Sequence, residues 1–438
     1  MGAWGPAAAA QSPAMTDAAP TTAAAPLAGV TVLDLSRVLA GPWCTQTLAD
    51  LGADVVKVER PPSPGQPGGD DTRGWGPPFL KDRSGHDTGE AAYYLGANRN
   101  KRSITVDIAS AAGQALIRRM AQQCDVLVEN YKVGDMARYG LDAPAMLALN
   151  PRLVYCSITG FGQTGPYRER AGYDYAVQGM GGLMSVTGPS RAEIADGAPG
   201  GGPQKVGVAV ADLFTGLYAT TAILAALRHR DATGCGQSVD MALLDTQVAM
   251  LANLGANYLT SGTVPQRAGN AHQNIVPYQV FGVADGHLIL AVGNDAQFAR
   301  FCGVAGLAEL AKDARFARNA ERVRNRATLV PLLEVVMKTR TRGDWLAALE
   351  AATVPCGPIH DLAEVFADPQ VRSRQMVVEM PHPLAGATRL VASPMKLSAT
   401  PVRYLRPPPL LGEHTDEVLA QFGLGPAEIE ALRAARAV

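Results

Sequence analysis

The chain is short of basic residues at its start: the first is Arg37. A secretory signal needs a basic stretch and a mitochondrial leader is arginine-rich, so neither is expected in residues 1–26. That stretch is Ala-, Pro- and Thr-rich with one charge, Asp17, and reads as a disordered extension, with Met15 as an alternative start. Position 6 is Pro, where a myristoylation signal wants Ser or Thr. No CxxC pair exists among Cys44, Cys124, Cys156, Cys235, Cys302 and Cys356, so neither a zinc ribbon nor a disulfide framework is expected. A reducing, cytoplasmic setting fits such scattered thiols. There is also no run of one charge. Lys+Arg 39 against Asp+Glu 40 leaves −1, which makes nucleic acid or an anionic membrane a poor partner.

What is present is ordinary globular composition, 47% hydrophobic and 18% charged over 438 residues, enough for two or three domains. GVTVLDL (29–35) and DVVKVE (54–59) are strand-like, and between them Pro42 opens a helix that closes at Gly52. Residues 111–123 read as a helix, and 124–130 and 152–159 as strands. Strand–helix alternation of this kind predicts a doubly wound, Rossmann-like parallel core. Such sheets bind ligands beyond the carboxyl ends of their strands, which points to residues 37–42, 59–60, 130–132 and 159–165. The first turn, Ser-Arg-Val-Leu-Ala-Gly-Pro, lacks the GxGxxG that admits a pyrophosphate, so a nicotinamide cofactor is not expected.

Residues 206–227, VGVAVADLFTGLYATTAILAAL, hold one ionisable side chain, Asp212. The run is long enough to span a membrane, but no second one exists, and a buried helix of a large domain is the better reading. Asp212 then stands near the helix N-terminus. It reads as an N-cap or as a catalytic carboxylate, and both can hold, since helix N-terminal amides keep a carboxylate ionised in apolar surroundings. A poorly hydrated carboxylate of this kind can attack a thioester. Residues 160–188 read as a loop leading into the Gly181-Gly182 turn. Residues 285–304 read as a hairpin strand and a helix capped by Asn294 or Asp295. LRPPPLLGEH (405–414) reads as an extended strap, and 426–437 as a surface helix matched to its dipole.

Five segments in fixed order are LDLSRVLAGPWCTQTLADLGADVVKVERP, NRNKRSITVDI, DVLVENYKVGDMARYGL, GFGQTGPYRERAGYDYAVQGMGG and VGVAVADLFTGLYA. On these the chain, from about Leu27 onward, resembles the class III coenzyme A transferases (CaiB/BaiF, formyl-CoA transferase-like). GNAHQNIVPYQVF, VPCGPIHDLAEVFADPQV and RPPPLLGEHT look most like the succinate–hydroxymethylglutarate CoA-transferase branch.

The resemblance implies an α/β fold with a Rossmann-like large domain over 27–245 and a linker over 246–265. A smaller α+β domain over 266–364 follows, and a segment over 365–438 returns to the large domain. It also implies an interlocked homodimer. The nucleophile matches Asp212. Coenzyme contacts match Leu39, Ala40, Arg60, Val106, Asp107, Ile108, Ala109, Asn130, Tyr131, Lys132 and Arg138. Tyr173, Asp174, His272 and Gln273 are candidates to assist, the last two on a loop that closes over the site.

The implied reaction carries CoA from an acyl-CoA, succinyl-CoA by branch, to a free carboxylic acid, a dicarboxylate by branch. It needs no metal and no permanently bound cofactor, and CoA enters as substrate. Arg37, Arg267 and His272 are candidates for a distal carboxylate. Two alternatives stand beside this. An α-methylacyl-CoA racemase would need the histidine of a Gly-His-Asp triplet, where this chain has Gly172-Tyr173-Asp174; tyrosine is a poor base at neutral pH. A non-catalytic acyl-CoA-binding protein would have no use for Asp212.

Overall fold

The computed structural model describes residues 24–191 and 193–438, so the extension expected over 1–26 lies outside the described residues as far as position 23. Six strands form the main sheet: β1 (Thr31–Asp34), β2 (Asp54–Glu59), β3 (Lys101–Thr105), β4 (Val126–Glu129), β5 (Val154–Thr159) and β6 (Gln237–Ala242). Their order is β3-β2-β1-β4-β5-β6 and every neighbouring pair is parallel. The order reverses between β1 and β4, which is the point where doubly wound sheets open a crevice.

Side-chain alternation assigns the two faces. Val32, Val55, Val126 and Val154 point to one side and pack with helices α1 (Ala40–Asp50) and α4 (Val210–Thr233). Their neighbours Leu33, Val56, Leu127 and Tyr155 point to the other and pack with α2 (Ala111–Ala121) and the helix Thr415–Gln421. Burying each such valine or leucine contributes roughly 1.5–3 kcal/mol, so the period-two pattern fixes the register as well as the faces.

Helix α1 begins at Ala40, two residues before the Pro42 expected to open it, and ends at Asp50, with Leu51 as C-cap before the left-handed Gly52. Pro42 is tolerated because the first turn lacks intrahelical acceptors for its amides. Helix α4 lies across α1 so closely that a Cβ on Gly216 would stand 2.6 Å from the Ala40 carbonyl oxygen. Its far end is tied down by Arg230, whose guanidinium meets Asp125 at 2.6 Å. Among the described residues, α4 is the one helix long and apolar enough to cross a membrane. Only one side of it is buried, against α1 and the sheet; Phe214, Leu217 and Tyr218 on the other side are exposed, so the helix expected to be buried is half-buried in this chain.

A separate core gathers Phe281, Leu290, Phe298, Phe301, Leu333 and Trp345. It lies around the antiparallel sheet β9-β8-β7, formed by β7 (Tyr278–Val283), β8 (Gly286–Ala291) and β9 (Cys356–Gly357). Asn294 caps the following helix, Asp295–Val304, by accepting the Gln297 amide at 2.9 Å. A hairpin of β10 (Val377–His382) and β11 (Gly386–Val391) precedes the strap. The strap covers the exposed edge of the main sheet. Asn100 N–H donates to Arg406 O, Gly412 N–H to Ser103 Oγ and His414 N–H to Ser103 O, at 2.8, 3.0 and 2.9 Å.

Residues 160–188 depart from the loop expected there. They contain helix α3 (Asp174–Met180) and the turn of helix Leu183–Val186. Val177 and Gln178 of α3 are fully buried, so the segment is partly core despite its glycines. Its base is closed by Gly160 and Gly172, whose backbones approach so tightly that a Cβ on either would lie 2.5 Å from the other's Cα.

Candidate active site

Two cavities meet at the carboxyl ends of β1, β2, β4 and β5. The larger, about 490 Å³, is lined by Val38, Leu39 and Ala40 from the first turn, Trp75, residues 130–133 after β4, Thr159 and Gly160 after β5, Tyr173 and Asp212. The smaller, about 180 Å³, is lined by Lys57, Arg60, Asp70, Val106, Asp107, Ile108, Ala109 and Tyr139. Arg37 and Tyr131 line both. Leu39, Ala40, Asn130, Tyr131 and Lys132 therefore stand around the Asp212 cavity, and Arg60 with Val106, Asp107, Ile108 and Ala109 around its neighbour.

The remaining candidates lie elsewhere. Arg138 lines neither cavity; its guanidinium contacts Asp135 and the Tyr139 hydroxyl, each at 3.1 Å. His272 and Gln273 line neither cavity; the His272 ring lies 5.3 Å from that of Tyr278, and the Gln273 amide donates to Gln266 O. Arg267 is held by Asp196 and by the Pro189 carbonyl. Of the three residues considered for a distal carboxylate, only Arg37 faces the Asp212 cavity, and it is paired with Asp71 at 3.0 Å.

Asp212 is not the N-cap of α4. The helix starts at Val210 after Ala209, and the capping oxygen comes from Asp174, the first residue of α3. Asp174 Oδ1 accepts the Ala211 amide at 2.8 Å and the Asp212 amide at 3.4 Å, while Oδ2 accepts from Gln178 Nε2 at 2.7 Å. With those amides taken, no donor among the described residues hydrogen-bonds the half-buried Asp212 carboxylate. The expectation that helix amides hold it ionised is therefore reversed. Burial, with the negative charge of Asp174 beside it, pushes the Asp212 carboxyl up to about 7. A carboxylate left unpartnered at a cavity wall is a strong nucleophile when it ionises, because no hydrogen bond quiets it.

Beneath the cavities runs a buried ionic layer that the sequence did not disclose. Lys57 Nζ contacts Asp70 at 2.9 Å and Lys101 Nζ contacts Asp34 at 3.1 Å, all four side chains fully buried. Arg73 joins Glu59 and Glu90, each at 2.8 Å. Burial opposes ionisation of Asp70, but the Lys57 charge and the hydrogen bonds from Lys57 and Thr72 outweigh it and hold the carboxyl below its usual range. Asn130, matched to coenzyme binding, spends its amide on the first turn: it accepts from Arg37 N at 3.0 Å and donates to Arg37 O at 2.7 Å. The one trace of it in the sequence is that Lys57 and Glu59 alternate with valines in β2.

Comparison with known proteins decides the class. The description "CoA-transferase family III" matches residues 27–415. The chain belongs to CoA-transferase family III. It is 51% identical over 397 residues to a succinate–glutarate CoA-transferase of Agrobacterium fabrum, covering 91% of this chain and 96% of that relative. It is 43% identical over 396 residues to the human succinyl-CoA:glutarate CoA-transferase, covering 90% of this chain and 86% of that one. Among solved structures, a CaiB/BaiF family protein from Brucella suis matches with a TM-score of 0.76 at 49% identity, over 91% of this chain and 100% of the other. As a family III CoA-transferase the protein is an enzyme that handles CoA thioesters. The two cavities share Arg37 and Tyr131, and the unpartnered carboxylate lies in the larger one.

Proposed function

We propose that the protein transfers CoA from succinyl-CoA to a small dicarboxylate, glutarate foremost, with Asp212 as nucleophile. The observation that carries this reading is the unpartnered Asp212 carboxylate in the larger cavity of a chain 51% identical to a succinate–glutarate CoA-transferase. Asp212 attacks the succinyl carbonyl, the C–S bond breaks and CoA leaves as thiolate. The thiolate attacks the aspartyl carbonyl of the mixed anhydride, succinate departs and an aspartyl-CoA thioester remains. Glutarate attacks that thioester and expels the thiolate. The thiolate then takes the glutaryl group and restores the Asp212 carboxylate.

In this reading Leu39, Ala40, Asn130, Tyr131 and Lys132 border the thioester end of the coenzyme. Arg60, Val106, Asp107, Ile108 and Ala109 border its nucleotide end, Arg60 pairing with phosphate. Arg138 lies outside the cavities and reaches the coenzyme only where it extends past Tyr139. Tyr173 borders the reacting groups and Asp174 positions them.

The working form is a homodimer of interlocked chains, with the domain limits set out above, and it acts in the cytoplasm. Support for a second copy comes from the apolar side chains that α4 leaves in the open, Phe214, Leu217 and Tyr218, and from Leu259, 83% exposed. In that assembly the partner's loop brings His272 and Gln273 to the Asp212 cavity.

The test is to mix protein, succinyl-CoA and a pool of carboxylic acids in deuterated water and read the products by mass. Glutaryl-CoA without deuterium on its α-carbon is expected, and Asp212→Ala is expected to abolish it. Transfer by Asp212→Ala at near the wild-type rate overturns the assignment.

A further inference from the structure

The first turn, residues 36–38, holds Val38 at φ 72°, in the left-handed region that a β-branched residue rarely enters. Conformations of this kind persist only where surrounding groups over-determine them. Here they do. The Val38 amide donates to both Asp70 oxygens at 3.2 Å, and Ser36 O accepts from Lys57 Nζ at 3.0 Å. The Ser36 amide donates to Asp34 at 3.0 Å. Asp70 is itself fixed, its amide donating to Glu59 at 2.9 Å and its Oδ1 accepting from the Thr72 amide and hydroxyl at 3.0 and 2.8 Å. A fully buried ion pair is thus committed to two backbone groups of a turn whose continuation, Val38, Leu39 and Ala40, walls the Asp212 cavity.

A buried ion pair is costly to desolvate and adds little net stability compared with an apolar pair. A glycine at 38 would reach the same backbone conformation unaided. The sequence instead keeps valine and clamps it. We propose that Asp70, supported by Lys57, is a positioning residue for the coenzyme: it holds Val38 in the left-handed conformation and so sets where Val38, Leu39 and Ala40 stand on the cavity wall. This rests on the reading that the cavity takes a CoA thioester.

The experiment measures CoA affinity by calorimetry and steady-state kinetics for wild type, Asp70→Asn, Val38→Gly and the double variant. Losing the charge-assisted contact to Val38 is expected to weaken CoA binding by about tenfold in Asp70→Asn and to raise KM for succinyl-CoA, leaving KM for glutarate unchanged. With glycine at 38 the turn no longer needs the clamp, so the Asp70→Asn penalty is expected to shrink in the double variant. If Asp70→Asn leaves Lys57 unpaired and the protein fails to fold, Lys57→Met with Asp70→Asn removes both charges and is expected to show the same split. Unchanged CoA affinity in a folded Asp70 variant, or a penalty independent of residue 38, overturns the proposal while the transfer reading stands. A wild-type protein that neither transfers nor binds CoA overturns both.

Discussion

Replacing Asp212 with asparagine is expected to stabilise the fold at alkaline pH while it destroys catalysis. The carboxyl is raised from 3.8 to about 7 by burial and by Asp174. Between those values the folded protein holds a proton that the unfolded chain has released. The stability linked to this group is therefore whole below about pH 4 and is lost as pH rises through about 7, where a poorly solvated charge is stranded. At about 1.4 kcal/mol for each tenfold change in proton affinity, the full cost is about 4 kcal/mol, and water entering the open cavity reduces it toward about 2. Asp212→Asn never carries that charge. Urea unfolding of the two proteins at pH 5 and pH 8, at equal ionic strength, should show the variant gaining about 1 kcal/mol more at pH 8 than at pH 5, since part of the effect is already lost by pH 5. An equal difference at both pH values, or a variant less stable at pH 8, would refute the environment assigned to Asp212.

Asp174→Asn keeps an oxygen for the Ala211 amide but removes the charge beside Asp212, so the acid limb of kcat/KM for succinyl-CoA should move to lower pH. Asp174→Ala should lose the cap as well, costing about 1 kcal/mol of stability by thermal unfolding. Gly216→Ala raises helix propensity, yet its Cβ would meet the Ala40 carbonyl at 2.6 Å, so a net destabilisation of roughly 1–3 kcal/mol is expected in urea. A stabilised Gly216→Ala protein would mean that α4 does not press on α1 as described.

Most of the sheet was legible in the sequence, and so was the carboxylate proposed as nucleophile. β1, β2, β4 and β5 were legible because their valines and leucines form short apolar runs. β3 and β6 were not. KRSIT and QSVDMA carry charges that argue against a strand, and their partners, Asp34 for Lys101, Asp54 for Arg102 and the Gln163 amide for Asp240, are remote in sequence. Asp212 stood out as the one ionisable group in a long apolar run. Its cap did not, because Asp174 lies 38 residues upstream in a segment whose glycines disguise a helix. The clamp on Val38 was hidden for the same reason: a positive φ at valine leaves no mark in composition. His272 and Gln273 were legible as a loop, but that they line neither cavity within one chain follows from tertiary placement alone.

With Asp212 as nucleophile, oxygen passes through its carboxylate during transfer. Turnover with succinyl-CoA and heavy-oxygen-labelled glutarate, followed by digestion and mass measurement of the peptide containing Asp212, tests it directly. The acceptor's oxygen becomes the bridge of the second anhydride and stays on the aspartate when the thiolate takes the glutaryl group. The account predicts one or two labelled oxygens on Asp212 and, after further turnovers, label in the released succinate. Glutaryl-CoA formed at the normal rate with no label on Asp212 would contradict it.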